Sequence, residues 1–298
     1  MHQGLKFVEA LEQTAPFFAT SARKCVEEHA KDTLWILDSL AQWSEQAFGE
    51  DIFTQAAGGY SLYSKDVAHL QRLYEKDGIF NHDAMSKIKA QVYEDPAYMV
   101  PYMWAAILIY PFWPGMIRHI ALYRDQFLHR LPPQAKVMEL GCGHGVLGLL
   151  AAREREDISV ESCDLSPHAI GIAQRLLAVT GLQNRVTQKV QDVLDISADA
   201  PQKYEGIIAA MLAEHLEEPA RLFDSVAHHL AKGGICFFST ALESAQKDHV
   251  FEFHRESEVL RMAEAAGLRA SLMLSDGQPR QPYQRFRPRA LAMILEHA

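Results

Sequence analysis

The stretch Val137-Met-Glu-Leu-Gly-Cys-Gly-His-Gly145 joins an apolar run, an acid and three glycines, and Ser162-Cys-Asp-Leu-Ser-Pro167 follows with a second acid. It reads as a strand, a glycine turn into a helix, and a second strand closing on Asp164. Glycine lacks the β-carbon that blocks positive φ and close approach, so Gly141, Gly143 and Gly145 let a ligand lie against the main chain where strand meets helix. Asp164 lies 25 residues after Glu139, near the roughly 20-residue offset at which an acid grips a nucleotide ribose. A glycine turn alone also occurs as a plain turn. The spacing here is Gly-x-Gly-x-Gly, whereas the dinucleotide fingerprint is Gly-x-Gly-x-x-Gly.

With Glu139 ahead of it, the turn resembles the first motif of the class I S-adenosylmethionine-dependent methyltransferases, Glu/Asp-x-Gly-x-Gly-x-Gly. The resemblance continues in order over about residues 130 to 298. Val190-Gln-Asp-Val193 looks like the third motif, Tyr204-Glu-Gly-Ile-Ile-Ala-Ala210 like the fourth strand, and Leu230-Ala-Lys-Gly-Gly-Ile-Cys-Phe-Phe-Ser239 like the turn and fifth strand. The resemblance implies that the glycine turn passes beneath the methionine part of S-adenosylmethionine and that Asp164, with Leu165 beside it, holds the ribose. It further implies that Asp192 accepts from the adenine amino group while Val193 offers its backbone. The product would be S-adenosylhomocysteine.

Methyl transfer from a sulfonium is an in-line displacement, so positioning supplies most of the rate. Where the nucleophile must lose a proton, a histidine or carboxylate at the end of the fourth strand is well placed. Met211-Leu-Ala-Glu-His-Leu-Glu-Glu-Pro219 sits there. Two readings of Glu214 and His215 stand: His215 as general base with Glu214 orienting it or binding a polar substrate, or a hydrogen-bonded structural link from strand to helix. His215 and the later His249 also resemble the small-RNA 2′-O-methyltransferases, which bind a metal through Glu-x-x-Glu-His and a later histidine. Met211 stands where their first glutamate would be, and with that carboxylate missing no metal is expected. His249 either reaches substrate or caps a helix, and His144, between two glycines, is either solvated or touches the cofactor.

Between Tyr93 and Trp113, seven of 21 residues are aromatic, against 9% overall. These rings serve either as helix core or as a pocket wall, where an aromatic face near a sulfonium supplies ~0.5–2 kcal/mol. Tyr102 and Tyr110 are the pair expected to face the cofactor.

The chain has 298 residues, 48% of them apolar, and a formal net charge of −9. Length favours two units. The acidic balance argues against nucleic acid as the main partner, because phosphate binding draws on clustered Lys and Arg. Four cysteines without Cys-x-x-Cys spacing, and no recognisable signal peptide, point to reduced thiols in a cytoplasm. The longest apolar run, Tyr98 to Trp113, holds two prolines and falls short of the ~20 residues a membrane span needs.

From about Ala135, short β-branched runs alternate with helical stretches, the pattern of a parallel sheet with crossover helices. Strands are expected at Ala135–Leu140, Ile158–Cys163, Arg185–Val190, Glu205–Ala210 and Gly234–Thr240. Helices are expected at Val146–Arg155, Pro167–Thr180, Pro219–Ala231 and His254–Ala266. Leu268–Ser275 and Ala290–Glu296 fit two last strands joined through Gly277–Pro282. The fold class is therefore α/β, a Rossmann-like doubly wound sheet, mostly parallel with an antiparallel last strand.

The first 130 residues lean helical at Leu5–Phe18, Ser21–Gln46, Ser64–Lys76, His82–Val92, Ala97–Ile109 and Gly115–Arg130, with Gly58-Gly59 and Pro132-Pro133 as punctuation. The domain expectation is a helical lid and substrate selector over 1–130 and a cofactor-binding unit over 131–298, with the aromatic-rich helical part offering a dimer surface. The function expected is methylation of a small molecule in specialised metabolism. A non-methylating reaction at the same sulfonium, a protein or RNA methyltransferase and a non-catalytic binding module are the competing classes.

Overall fold

A computed structural model describes residues 2–80, 85–196, 203–277 and 281–298. The helical half comprises α1 (Leu5–Thr14), α2 (Pro16–Glu28), α3 (Ala30–Phe48), α4 (Ile52–Asp77), the short α5 (Met85–Ile88) with a π turn (Lys89–Tyr93), α6 (Pro96–Phe112) and α7 (Pro114–Leu122). A second π turn (Tyr123–Phe127) and a 3₁₀ turn (Leu128–Arg130) lead out of it. The sheet half follows as β1 (Lys136–Leu140), α8 (Val146–Glu154), β2 (Ser159–Asp164), α9 (Pro167–Thr180), β3 (Val186–Val190), β4 (Tyr204–Ala210), α10 (Ala220–His229), β5 (Leu230–Leu242), α11 (Glu256–Ala265), β6 (Leu268–Asp276) and β7 (Arg289–His297).

The sheet order is β3-β2-β1-β4-β5-β7-β6. Strands β1 to β5 pair in parallel, and β7 runs antiparallel to both β5 and β6. Side chains alternate across a strand, and both faces here are covered. Val137, Ile208, Phe237 and Ile294 join one core with α8, α9 and the helical half. Their neighbours Met138, Ile207, Phe238 and Met293 join the other, under α10 and α11. The chain winds outward from β1 to β3 and returns to β4 on the other side of β1. That reversal opens a crevice at the carboxyl ends of β1 and β4, where ligands bind in open α/β sheets.

The helical half departs from the sequence expectation at three places. Leu5–Phe18 is not one helix: α1 stops at Ala15 (φ −150°, ψ 64°) and α2 begins on Pro16, whose missing N–H suits a first helical turn. Ser21–Gln46 is likewise divided, at His29 (φ −131°). Gly58-Gly59, expected as punctuation, lies inside the 26-residue α4. A β-carbon on Gly59 would fall well inside contact distance of the Pro101 carbonyl oxygen, so this glycine lets α4 and α6 touch through backbone. In the sheet half, Leu230 and Ala231 belong to β5 rather than to the helix before it. Parts of the expected His82–Val92 helix and of the Gly277–Pro282 connection lie outside the described residues.

Helix α4 also buttresses the loop after β5. Tyr63 Oη donates to Gln246 Oε1 (2.6 Å), the Ala245 N–H donates to Gln71 Oε1 (3.0 Å), and the Tyr74 ring stacks on Phe286 with Tyr74 Oη donating to Glu252. Among the described residues no single helix is long and apolar enough to cross a membrane; α6 and the stretch Pro114–Arg130 pass that test only as a pair bent by 83°. The four cysteines are buried and free.

Candidate functional site

Where β1 ends, the backbone turns sharply through Gly141, Gly143 and Gly145, at φ +62°, +53° and +67°. A β-carbon on Gly141 would meet Leu212 Cδ1 at 2.6 Å, which a leucine side chain can relieve by moving, so it is the positive φ that favours glycine there. Asp164, at the end of β2, clamps this turn. The Gly143 N–H donates to its Oδ2 and the Ser166 N–H to its Oδ1, both at 2.8 Å. Burial pushes the Asp164 carboxyl up against the opposing pull of those bonds.

Glu139 lies beneath the turn and is 2% exposed. It accepts from Ser162 Oγ (2.6 Å) and from the Gly148 N–H (3.2 Å), which ties β1, β2 and α8 together. Burial raises its carboxyl to about 7. His144 is buried as well, and burial lowers its ring to about 3. The neutral Nδ1 accepts from the Val146 N–H at 3.0 Å, satisfying a free donor at the start of α8. Beyond β3, Asp192 accepts from the Leu194 N–H (2.9 Å) and starts the 3₁₀ turn Val193–Asp195.

The corner after β4 is a tight 3₁₀ turn, Ala213–His215. Glu214 is 1% exposed; Thr240 Oγ1 donates to its Oε2 (2.7 Å) and the Ala241 N–H to its Oε1 (3.2 Å). Its carbonyl accepts the N–H groups of Val250 (2.8 Å) and Phe251 (3.0 Å), stapling the loop after β5 to the corner. Burial raises the Glu214 carboxyl, with His215 pulling the other way. His215 Nδ1 is 3.0 Å from the Asp248 carbonyl oxygen and 3.3 Å from Tyr93 Oη. Burial disfavours its imidazolium, but the Asp248 and Glu214 carboxylates outweigh burial and lift His215 above the ordinary histidine range. His249 donates from Nδ1 to the Ser244 carbonyl (2.7 Å), and burial, with His215 adding to it, holds its ring down at about 4.

One cavity of about 350 Å³ joins these parts. Glu139, Gly141, Gly143, Asp164, Leu165, Asp192, Val193, Tyr102, Tyr110, Glu214 and His215 all line it, as does His144. Gly145 does not: its β-carbon position faces Gln188 and Ala173, so its part is to let α8 start close to α9 and β3. Tyr63, Met103, Gln246 and His249 line the cavity too. His249 was legible as a candidate. Tyr63 and Gln246 carry no sequence signal, because they meet only when α4 packs on the loop after β5. Arg221 is the only lysine or arginine among the described lining residues.

Glu214, His215 and His249 each bring one ligand-type atom to within 4.8 Å of the others. Both Glu214 oxygens already accept hydrogen bonds, and each histidine spends Nδ1 on a main-chain carbonyl. That leaves the Nε2 lone pairs of the two rings as the ligand-type atoms of the trio.

Comparison with known proteins follows the same lines. A family model described as a methyltransferase domain matches residues 112–298. A ubiquinone biosynthesis O-methyltransferase from Xylella fastidiosa (strain 9a5c) is 33% identical over 117 residues, 39% of this chain and 46% of that protein. The protein of the same name from Nitrosomonas europaea is 29% identical over 170 residues, 50% and 69% of the two chains. The chain thus spans less than half the length of the first of these relatives. Among solved structures, phosphoethanolamine N-methyltransferase 2 of Haemonchus contortus, in complex with S-adenosyl-L-methionine, gives a TM-score of 0.53 at 11% identity, covering 72% of this chain and 60% of its own. The [4+2]-cyclase SpnF gives 0.51 at 16% identity, over 62% and 84%. At such identities the likeness is one of fold. The family match, by contrast, takes in the whole sheet, its glycine turn and the Glu214–His215 corner, and by it the chain belongs to the methyltransferase-domain family.

Proposed function

We propose that this protein is an S-adenosylmethionine-dependent methyltransferase acting on a small, uncharged hydroxyl acceptor. The observation that carries the reading is the single cavity in which Asp164, Asp192 and the glycine turn face His215 and the tyrosine wall. The donor set suits the nucleoside sulfonium. Asp164 keeps acceptor capacity beyond its two backbone bonds for ribose hydroxyls. Asp192 and Val193 suit the adenine, and the faces of Tyr102 and Tyr110 suit a cation. Bound there, S-adenosylmethionine supplies a methyl carbon on a good leaving group.

The acceptor class follows from the charges. Glu214, Glu217, Glu218 and Asp164 line the cavity, and among the described lining residues Arg221 is the only lysine or arginine to oppose them, which disfavours carboxylate or phosphate on the acceptor. The relatives' name, O-methyltransferase, favours oxygen. In the reaction the acceptor O–H proton passes to His215, the oxygen pair forms the new O–CH3 bond, and the S–CH3 pair remains on sulfur as a thioether.

Residues 1–130 act in this reading as lid and selector, since Tyr63, Tyr93, Tyr102 and Tyr110 all come from them. We further take the protein as cytoplasmic, without a nucleic-acid partner, and able to dimerise through the helical half. Incubation with S-adenosylmethionine and a panel of small phenols, alcohols and amines tests the function. S-adenosylhomocysteine formed with a phenol or alcohol is the expected product; methylthioadenosine, or methylation of amines alone, overturns it.

A further inference from the structure

Asp248 follows β5 and is 1% exposed, and neither of its carboxylate oxygens has a hydrogen-bond partner. Burying a carboxylate without a donor is costly, and a nearby cation is what offsets the cost. The cationic candidate beside it is the His215 ring, with Nδ1 3.4 Å from Asp248 Oδ2. The same nitrogen faces the Asp248 carbonyl at 3.0 Å, and a carbonyl can only accept, so Nδ1 carries the proton in the neutral ring. Nε2 keeps the lone pair, makes no hydrogen bond to the described residues, and belongs to a ring that lines the cavity.

The loop cannot easily carry Asp248 away, because Val250 and Phe251 donate to the Glu214 carbonyl and Tyr63 holds Gln246. The charged and titratable groups facing His215 from the packed elements are Asp248, Glu214 and Asp164, which favour its imidazolium, the Tyr93 hydroxyl, and His249, whose ring stands edge-on at 5.0 Å. His249, neutral at ordinary pH, adds no positive charge.

We propose that Asp248 is the positioning residue of a His215 general base: it fixes the Nδ1–H tautomer and stabilises the imidazolium that forms when Nε2 takes the proton of an acceptor hydroxyl. This rests on the methyltransferase reading above. Glu214, bonded through both oxygens to Thr240 and Ala241, holds the corner rather than the proton. The carboxylate that serves His215 therefore comes from the loop after β5, and not from its sequence neighbour.

The test is ¹⁵N-histidine NMR on the full chain, alone and with S-adenosylhomocysteine. Wild type should show the Nδ1–H tautomer at high pH and titrate above about 6.5. Asp248→Asn should lower the His215 midpoint by about one unit or more, a tenfold change in proton affinity, and Asp248→Glu should recover most of it. An Nε2–H tautomer in wild type, or a midpoint unmoved in Asp248→Asn, overturns the proposal. If Asp248→Asn does not fold, the wild-type tautomer and the Asp248→Glu midpoint decide it. Failure of S-adenosylhomocysteine to bind wild type overturns the methyltransferase reading instead, and the titration without ligand reports that outcome separately.

Discussion

Asp164→Ala separates the backbone bonds that this carboxylate makes in the fold from the ribose contacts proposed for it. In the free protein Asp164 accepts from the Gly143 and Ser166 N–H groups, each at 2.8 Å, and Gly143 lies in the wall of the crevice. Hydrogen bonds to a charged acceptor contribute ~1.5–3 kcal/mol, and water entering the cavity recovers part of that, so a stability loss of about 3 kcal/mol is expected. For a chain of this size that lowers Tm by roughly 5–10 °C. Loss of the proposed ribose contacts should weaken cofactor binding by ~1–3 kcal/mol, or about 10- to 100-fold in Kd. Asp164→Asn keeps one acceptor but turns an NH2 toward the other N–H, so it should fall between wild type and Ala in both measures. Asp192→Ala is the control: its carboxylate caps only a short turn, so affinity should fall with little change in Tm. Calorimetry and thermal unfolding on the same samples read both quantities. A folded Asp164→Ala protein that binds S-adenosylmethionine as tightly as wild type would refute the ribose assignment.

Glu139 titrates at about 7 in the fold and near 4.5 when unfolded, and a raised acid contributes stability that is present below the unfolded value and lost as pH rises through 7. Relative to Glu139→Gln, wild type should therefore lose about 3 kcal/mol between pH 4.5 and 8, the rise from 4.5 to about 7 taken at ~1.4 kcal/mol per pH unit; parallel Tm–pH curves for the two proteins would contradict this. The paired glycines of α4 should respond with opposite sign: Gly58→Ala, with open space around it, stabilises by ~0.5–1 kcal/mol, whereas Gly59→Ala meets the Pro101 carbonyl and destabilises by ~1–3 kcal/mol. Equal denaturation midpoints would mean that α4 and α6 do not touch there. Dialysis against EDTA should leave Tm and S-adenosylmethionine affinity unchanged, and added Zn²⁺ or Mn²⁺ should not raise Tm; a metal-dependent rise would reassign Glu214, His215 and His249 as ligands.

The sheet half was legible because its first two strands run into punctuation the chain cannot hide. Gly141 to Gly145 stops β1, Pro167 starts α9 at its expected residue, and Gly181 ends that helix in the left-handed region. The helical half was less legible. Helical periodicity runs on through Ala15 and His29, where the chain bends between packed helices, and a Gly-Gly pair signals a break unless a neighbouring helix presses against it.

The crevice was legible without the fold, because glycine spacing and strand-end acids act over a few residues, where local backbone geometry leaves few alternatives. Tertiary structure alone decided what surrounds His215. Tyr93 on the π turn and Asp248 after β5 are far apart in the chain, and only tertiary packing brings both to one imidazole, while Tyr63 on α4 holds the Asp248 loop through Gln246. A buried carboxylate without a hydrogen bond leaves no mark in a sequence, since its energy depends on the solvent it has lost and on the ring it faces.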